Sequence, residues 1–401
     1  MERKGRMLVT HVIPAVKGSF LILLFLTTMF ISTVQPTIGW AVDFSFKEHW
    51  KFPIPPQGDP PKNFSDLEAS LDPDDCGSCH ETQYEDWQTS RHSKSMGPGV
   101  AGQLHPPWVN NPFACTNCHT PLAEQSSKKM SHNGRLTKNP DYLPELRSQG
   151  LICAGCHVRR HVRYGPKPLL GKVNDPPHNS FVEVENFGNS EFCKPCHQFG
   201  PGDNRINGKL LQNTYEEWKN SPYLKKGIHC ADCHMPERRH LWQGIHSPEM
   251  VKKGVKIKTT REGANVSLKI TNSGVGHNFP TYVTPKIVIR GSVFDKNGTE
   301  VPQSVEEKFI GWNIPVNLSK EWYDTRIPPG KTLSEKFKIN PIATGGKFRI
   351  VIRVFPDDFY TRFFKALLDH PPNGIDTTKI REAYNETRKS NYILFEKYWD
   401  L

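Results

Sequence analysis

The sequence predicts an α+β chain with two unlike parts: a run of short helices and loops poor in aliphatic residues, then an antiparallel β-sandwich and a C-terminal helical tail. Three observations predict it. Cys-x-x-Cys-His occurs five times, at Cys76/Cys79/His80, Cys115/Cys118/His119, Cys153/Cys156/His157, Cys193/Cys196/His197 and Cys230/Cys233/His234. After His246 the chain changes to alternating or continuous apolar runs separated by turn signals, with no further cysteine. From Pro356 aromatic residues recur at helical spacing.

The repeated motif carries the chemistry. Two thiols three residues apart reach the two vinyl groups of one haem as thioethers, and the histidine that follows swings its imidazole onto the iron from one face. The five copies use all ten cysteines. Disulfides or zinc would also account for paired cysteines in an exported protein, but neither demands a histidine directly after each pair. With 17 histidines in 401 residues, chance would place one after all five pairs with probability of roughly 10⁻⁷. The expected cofactors are therefore five c-type haems with their iron. At 36% hydrophobic residues the chain is short of aliphatic core, so the porphyrins themselves are expected to form the interior of a haem-packed, mostly helical and loop multihaem cytochrome c domain.

The elements follow in order. Residues 1–41 read as a signal peptide: Arg3, Lys4, Arg6 and Lys17 make a positive start, Phe20 to Val34 carries no charge, and Gly39-Trp40-Ala41 ends in small residues that a signal peptidase accepts. The apolar run is short for a membrane span, and an uncleaved anchor is the alternative. Export to the periplasm or an extracellular face suits covalent haem attachment. Residues 42–75, with Pro53, Pro55, Pro56, Pro60 and Pro61, read as an extended arm. The haem domain spans 76–248, its motifs beginning 39, 38, 40 and 37 residues apart, with loops such as Gly97-Pro98-Gly99 and Gly200-Pro201-Gly202 between them. Within it Tyr84-Glu-Asp-Trp87-Gln-Thr-Ser90 recurs as Tyr215-Glu-Glu-Trp218-Lys-Asn-Ser221, each copy a short helical turn whose tryptophan either stacks on a haem edge or packs its own helix. His92 follows the first copy, and Tyr223 stands in its place after the second.

The net charge of +11 invites a nucleic-acid reading, but the first 41 residues contribute +3 of it, leaving +8. Five haems would add about ten propionate charges and, when oxidised, about five positive charges at the irons, so the loaded protein sits near neutrality. No basic, aromatic-interleaved patch argues for nucleic acid.

The chain resembles the exported multihaem c-type cytochromes related to the tetrahaem cytochrome c of ammonia oxidisers. The resemblance lies in Trp87-x-x-Ser90-x-His92, Cys118-His119-Thr-Pro-Leu, Cys156-His157-Val-Arg, Cys196-His197-Gln-Phe and Cys233-His234-Met-Pro, followed by His240, His246 and Gly276-His277-Asn-Phe-Pro-Thr281. It covers roughly residues 70 to 360. All five motifs end in His, and none carries the lysine that marks the active haem of pentahaem nitrite reductases. Electron transfer needs a sixth ligand on each iron, and eleven histidines are candidates: His49, His92, His105, His132, His161, His178, His229, His240, His246, His277 and His370. The resemblance favours His92, His178, His240, His246 and His277. His229 directly precedes Cys230 and is too constrained to serve the same haem, His161 reads as solvent-facing, and Met96 and Met130 are the alternative ligand type.

Residues 249–356 alternate as strands do: Val255-x-Ile257, Val266-x-Leu268-x-Ile270, Ile287 to Phe294 and Phe348-x-Ile350-x-Ile352-x-Val354. Asn297-Gly298, Pro328-Pro329-Gly330 and Gly345-Gly346 mark the turns, and an immunoglobulin-like sandwich serving as scaffold or docking surface is expected. The tail, 357–401, is expected to be helical at Phe359 to Leu368 and Thr377 to Tyr398.

The leading expectation is an electron carrier between redox partners outside the cytoplasm, with no substrate chemistry. The alternatives are a nitrogen-oxide or small-oxyanion oxidoreductase with one open haem, and a subunit of an extracellular cytochrome filament. Expected partners are other redox proteins, such as a membrane quinol oxidase or outer-membrane cytochromes, with self-association through the β domain.

Overall fold

The computed structural model describes residues 44–105, 109, 111–169, 181–340 and 345–401. The expected signal segment and the candidate ligand His178 lie outside the described residues.

Short helices and loops carry the first part. Four of the five motifs end a helix at their histidine: Phe113–His119, Cys153–His157, Ser190–His197 and Cys230–His234. Helical spacing puts the two cysteines of each on one side, with the imidazole one residue further round. The first motif differs. Its Cys76 lies in the short helix Pro73–Gly77, its Cys79 falls in the turn beyond, and its His80 leads into helix α1, Glu81–Thr89. The second copy of the Tyr-Glu-(Asp/Glu)-Trp repeat forms helix α2, Thr214–Lys219.

The proline-rich segment differs from the expected free arm. Trp50, Ile54 and Leu71 are buried with Trp87, Leu122, Leu146, Ile152, Ala154 and Val158, and Ile54 bridges Leu122. Large apolar residues spaced among the prolines explain this, since burying each contributes about 1.5–3 kcal/mol by removing apolar surface from water.

The second part is built by strands β1 (Val255–Glu262), β2 (Asn265–Asn272), β3 (Lys286–Phe294), β4 (Glu306–Asn313), β5 (Tyr323–Asp324), β6 (Thr332–Lys338) and β7 (Lys347–Phe355). In β2 Val266, Leu268 and Ile270 are buried between more exposed neighbours, the period-2 signature of a strand with one dry face. One antiparallel sheet has the order β6-β2-β1 and the other begins β5-β4-β3-β7. Their inward residues, among them Leu268, Ile270, Ile287, Ile289, Phe337, Phe348 and Ile352, share one apolar cluster. Helices α3 (Asp358–Asp369) and α4 (Thr377–Lys389) follow. The tail departs from expectation after Lys389. Tyr392–Asp400 is a strand, β8, paired antiparallel with β7 as the edge of the larger sheet. Its run of Tyr, Ile, Leu, Phe and Trp favours a pleated half-buried surface, and it pairs backbone groups that β7 would otherwise leave open.

Buried charges tie the parts together. Arg326 donates to Glu217 of α2 at 3.1 Å, to Asp324 at 2.8 Å and to the Thr281 carbonyl at 2.9 Å, with Arg326 and Glu217 both 7% exposed. Among the described residues no helix is long and apolar enough to cross a membrane.

Candidate haem sites

All ten cysteines are free thiols, and among the described residues no group of three or more His, Cys, Asp or Glu side chains is arranged to hold a metal ion. No two of the cysteines are joined as a disulfide. Across motifs, three thiol pairs lie within hydrogen-bonding reach: Cys76 with Cys153, Cys118 with Cys196, and Cys193 with Cys230. The first motif thus abuts the third, the second abuts the fourth, and the fourth abuts the fifth.

Cys79 and Cys233 are exposed, whereas the other eight thiols are half-buried. For Cys79 the reason is local: Pro73–Gly77 ends before it, so it sits on a surface turn while Cys76, inside the helix, meets Cys153. Its sulfur has the hydroxyl of the exposed Ser78 at 3.9 Å. A thioether needs only that the sulfur reach a vinyl group at the porphyrin edge, so exposure is compatible with attachment.

Three imidazole pairs face each other across a gap. Ring centres of His157 and His240 lie 6.2 Å apart, those of His92 and His197 6.2 Å, and those of His234 and His277 6.3 Å with only 7° between planes. A metal–nitrogen bond of about 2.0 Å on each side, with roughly 1.1 Å from nitrogen to ring centre, puts two axial imidazoles on one iron about 6.2 Å apart. The gaps match a shared iron.

The hydrogen bonds fit the same chemistry. His157 Nδ1 lies 2.8 Å from the Tyr164 carbonyl, His234 Nδ1 2.6 Å from Gln243, His240 Nδ1 2.9 Å from Arg238 and His277 Nδ1 2.9 Å from Asn278; His119 Nδ1 contacts the Ser95 carbonyl. A ring that donates its Nδ1–H to a carbonyl keeps the Nε2 lone pair free for a metal. Burial holds His92 down to about 3 and His157, His197 and His277 down to about 4, so these rings are neutral, the form that ligates. The residues present fit haem.

Other candidate histidines are engaged elsewhere. His246, a favoured distal candidate, places its Nε2 3.0 Å from Asp357 Oδ2, in a corner that also holds Arg91. The carboxylate at the start of α3 captures the ring that the sequence offered to an iron. His49 and His161, both buried, give their Nε2 atoms to the carbonyls of Cys156 and Gly58. The expected solvent exposure of His161 is thus not found, because the proline-rich segment covers it. His229 contacts Ser190 through Nδ1, and His105, His132 and His370 lie outside the three facing pairs. Among the described residues no second imidazole stands opposite His119; buried Met96 follows the serine that holds its ring. Tyr223 donates to the Ser273 carbonyl at 3.4 Å.

Both repeat tryptophans are buried, and each donates through Nε1 to a backbone carbonyl, Trp87 to Leu151 and Trp218 to Ile228. Sequence reasoning overlooked the acidic residues before them, Asp86 and Glu217, although their recurrence at one repeat position was a usable signal.

Comparison with known proteins agrees with this chemistry. The family model for cytochrome c554 and c-prime matches residues 75–158. The penta-haem cytochrome c552 of Thermochromatium tepidum superposes with a TM-score of 0.53 over 81% of this chain and 97% of that one, at 16% identity. The chain is a multihaem c-type cytochrome. A cytochrome c-552 of Aliarcobacter butzleri is 27% identical over 32% of this cytochrome, and a cytochrome c nitrite reductase subunit of Nitratidesulfovibrio vulgaris is 26% identical over 34% of it. The cytochrome spans only 28% and 31% of the lengths of those two relatives.

Proposed function

We propose that this cytochrome is exported and carries electrons between redox proteins outside the cytoplasm through five covalently bound haems. His240 closes the iron held by His157, His92 the iron held by His197, and His277 the iron held by His234. The observation that carries the reading is the set of three opposed imidazole pairs at 6.2 to 6.3 Å. Bound haem supplies reversible one-electron exchange at iron. The chain's residues keep each such iron closed on both faces, hold the rings neutral and bring the motifs into contact in the order first, third, fourth and fifth, with the second joined to the fourth. The third-to-fourth step is supported by the electrostatic proximity of Cys156 to Cys193 and Cys196.

The test is a denatured mass carrying five haems and a c-type pyridine haemochrome, with oxidised protein low-spin by electron paramagnetic resonance. A mass short of five haems defeats the count. A second reading attaches to His119, for which no opposed imidazole stands among the described residues: an iron there with an open face would bind a small nitrogen oxide or oxyanion. One high-spin haem equivalent, with a carbon monoxide shift and turnover of nitrite or hydroxylamine, would favour that enzyme over the carrier.

A further inference from the structure

The two copies of the Tyr-Glu-(Asp/Glu)-Trp repeat make the same three attachments in different places. In α1 the Tyr84 hydroxyl donates to Asp74, two residues before Cys76; in α2 Tyr215 donates to Glu191, two residues before Cys193, at 3.0 Å. Trp87 Nε1 donates at 2.8 Å to the Leu151 carbonyl, two residues before Cys153, and Trp218 Nε1 donates at 2.9 Å to the Ile228 carbonyl, two residues before Cys230. The acidic residue between them reaches the opposite side. Asp86 Oδ2 accepts the backbone N–H of His240 at 2.9 Å, and Glu217 Oε2 accepts that of Asn278, the residue after His277, at 3.1 Å. An arginine completes each acceptor: Arg239 bonds both Asp86 oxygens at 2.6 Å, and Arg326 bonds Glu217 at 3.1 Å.

The attachments converge on single irons. The motif held by Trp87 ends in His157, whose facing ring is His240, held by Asp86. The motif held by Trp218 ends in His234, whose facing ring is His277, held through Glu217. The tyrosine of each copy reaches a further motif, and the motifs so joined, first with third and fourth with fifth, are those whose leading cysteines touch: Cys76 with Cys153 and Cys193 with Cys230. Two helices of different length, in different parts of the chain, would not repeat this geometry if they merely filled space.

We infer that the repeat is a haem staple used twice, and that Asp86 and Glu217 are positioning residues that set the distal imidazoles His240 and His277 over their irons. The inference rests on the bis-histidine reading above. A carboxylate suits the task because a charge-assisted hydrogen bond to a backbone N–H is about twice as strong as a neutral one, and the paired arginine favours the ionised acceptor and keeps it in place. Removing the carboxylate frees the loop, so the distal ring drifts from a bond that tolerates little displacement.

The experiment uses the full haem-loaded cytochrome with D86A, E217A, H240A and H277A, singly and combined, and reads electron paramagnetic resonance, the carbon monoxide shift and reduction potentials. D86A is expected to convert up to one haem equivalent from low to high spin, at the potential of the haem opened by H240A, and E217A to do the same for the haem opened by H277A. D86A with H240A should open no more than H240A alone, whereas D86A with E217A should open two different haems. Added imidazole should restore low-spin iron, and D86E and E217D should retain it. If D86A or E217A fails to accumulate, D86N and E217Q, which keep an acceptor oxygen but lose the charge, should shift the potential of the same haem. Alanine or amide variants that lower only the melting temperature, with all haem signals and potentials unchanged, overturn the inference. So does an Asp86 variant that opens a haem other than the one H240A opens. If H240A and H277A themselves leave every haem low-spin, the ligand assignment fails instead.

Discussion

At the scale of single residues, buried histidines differ in which ring nitrogen is already used. His49 and His161 are buried, but their Nε2 atoms are bound to carbonyls; His240 and His277 bind carbonyls through Nδ1 and present Nε2. Burial alone therefore does not single out the facing rings; a carbonyl on Nδ1 marks four of the six, His157, His234, His240 and His277, while His92 Nδ1 has no hydrogen-bond partner among the described residues. His92→Ala, His240→Ala and His277→Ala are each expected to give one high-spin haem equivalent that binds carbon monoxide. His246→Ala is expected to leave haem spectra unchanged, because its Nε2 is engaged by Asp357, and to cost on the order of 1–3 kcal/mol as that buried carboxylate loses a partner. A carbon monoxide response in His246→Ala would return this histidine to the ligand set.

At the scale of elements, the two sheets pack closely enough to leave no room for one added methyl group. A Cβ at Gly291 of β3 would come within 2.6 Å of the Phe337 ring and 3.1 Å of Phe348. Gly291→Ala is expected to destabilise the protein by about 1–3 kcal/mol in chemical denaturation, with haem spectra at native pH unchanged. An unaltered midpoint would mean that the sheets can part at that point. Strand β8 shows a different dependence: its sequence carries both an aromatic helical stripe and β-prone residues, and the open edge of β7 decides between them.

At the scale of the whole molecule, the two parts rely on different cores. The sheets own the large aliphatic cluster, while among the described residues the motif-bearing part has one smaller cluster that holds both Trp87 and Ile152 and shares another, through Ile206 and Leu211, with Val283 and Trp312. Chain produced without haem attachment is therefore expected to be cleaved by a protease between residues 76 and 248 while residues 255–400 resist. Equal resistance along the haem-free chain would mean that the first part folds on polypeptide contacts alone. The parts are still chemically joined, since His277 lies on the connection between β2 and β3 and faces His234 of the fifth motif. The strand region thus presents a ring to the fifth motif.

The sequence by itself determined what is local. Covalent haem attachment needs only two cysteines and a histidine in a fixed short spacing, so all five candidate motifs were legible, and period-2 apolar alternation sufficed for most strands. How deeply each motif cysteine lies was not legible: Cys79 and Cys153 share one motif pattern, yet one sits on a surface turn and the other packs against a neighbouring motif. Nor was which imidazoles would face each other, because the partners come from distant segments and eleven similar rings are candidates. Only the folded chain brought particular rings together, by engaging some Nε2 atoms with carbonyls or Asp357 and leaving others across a 6.2 to 6.3 Å gap. The same holds for Asp86 and Glu217: the repeat exposed their shared position, but what a buried carboxylate holds depends on which backbone N–H the tertiary fold brings to it.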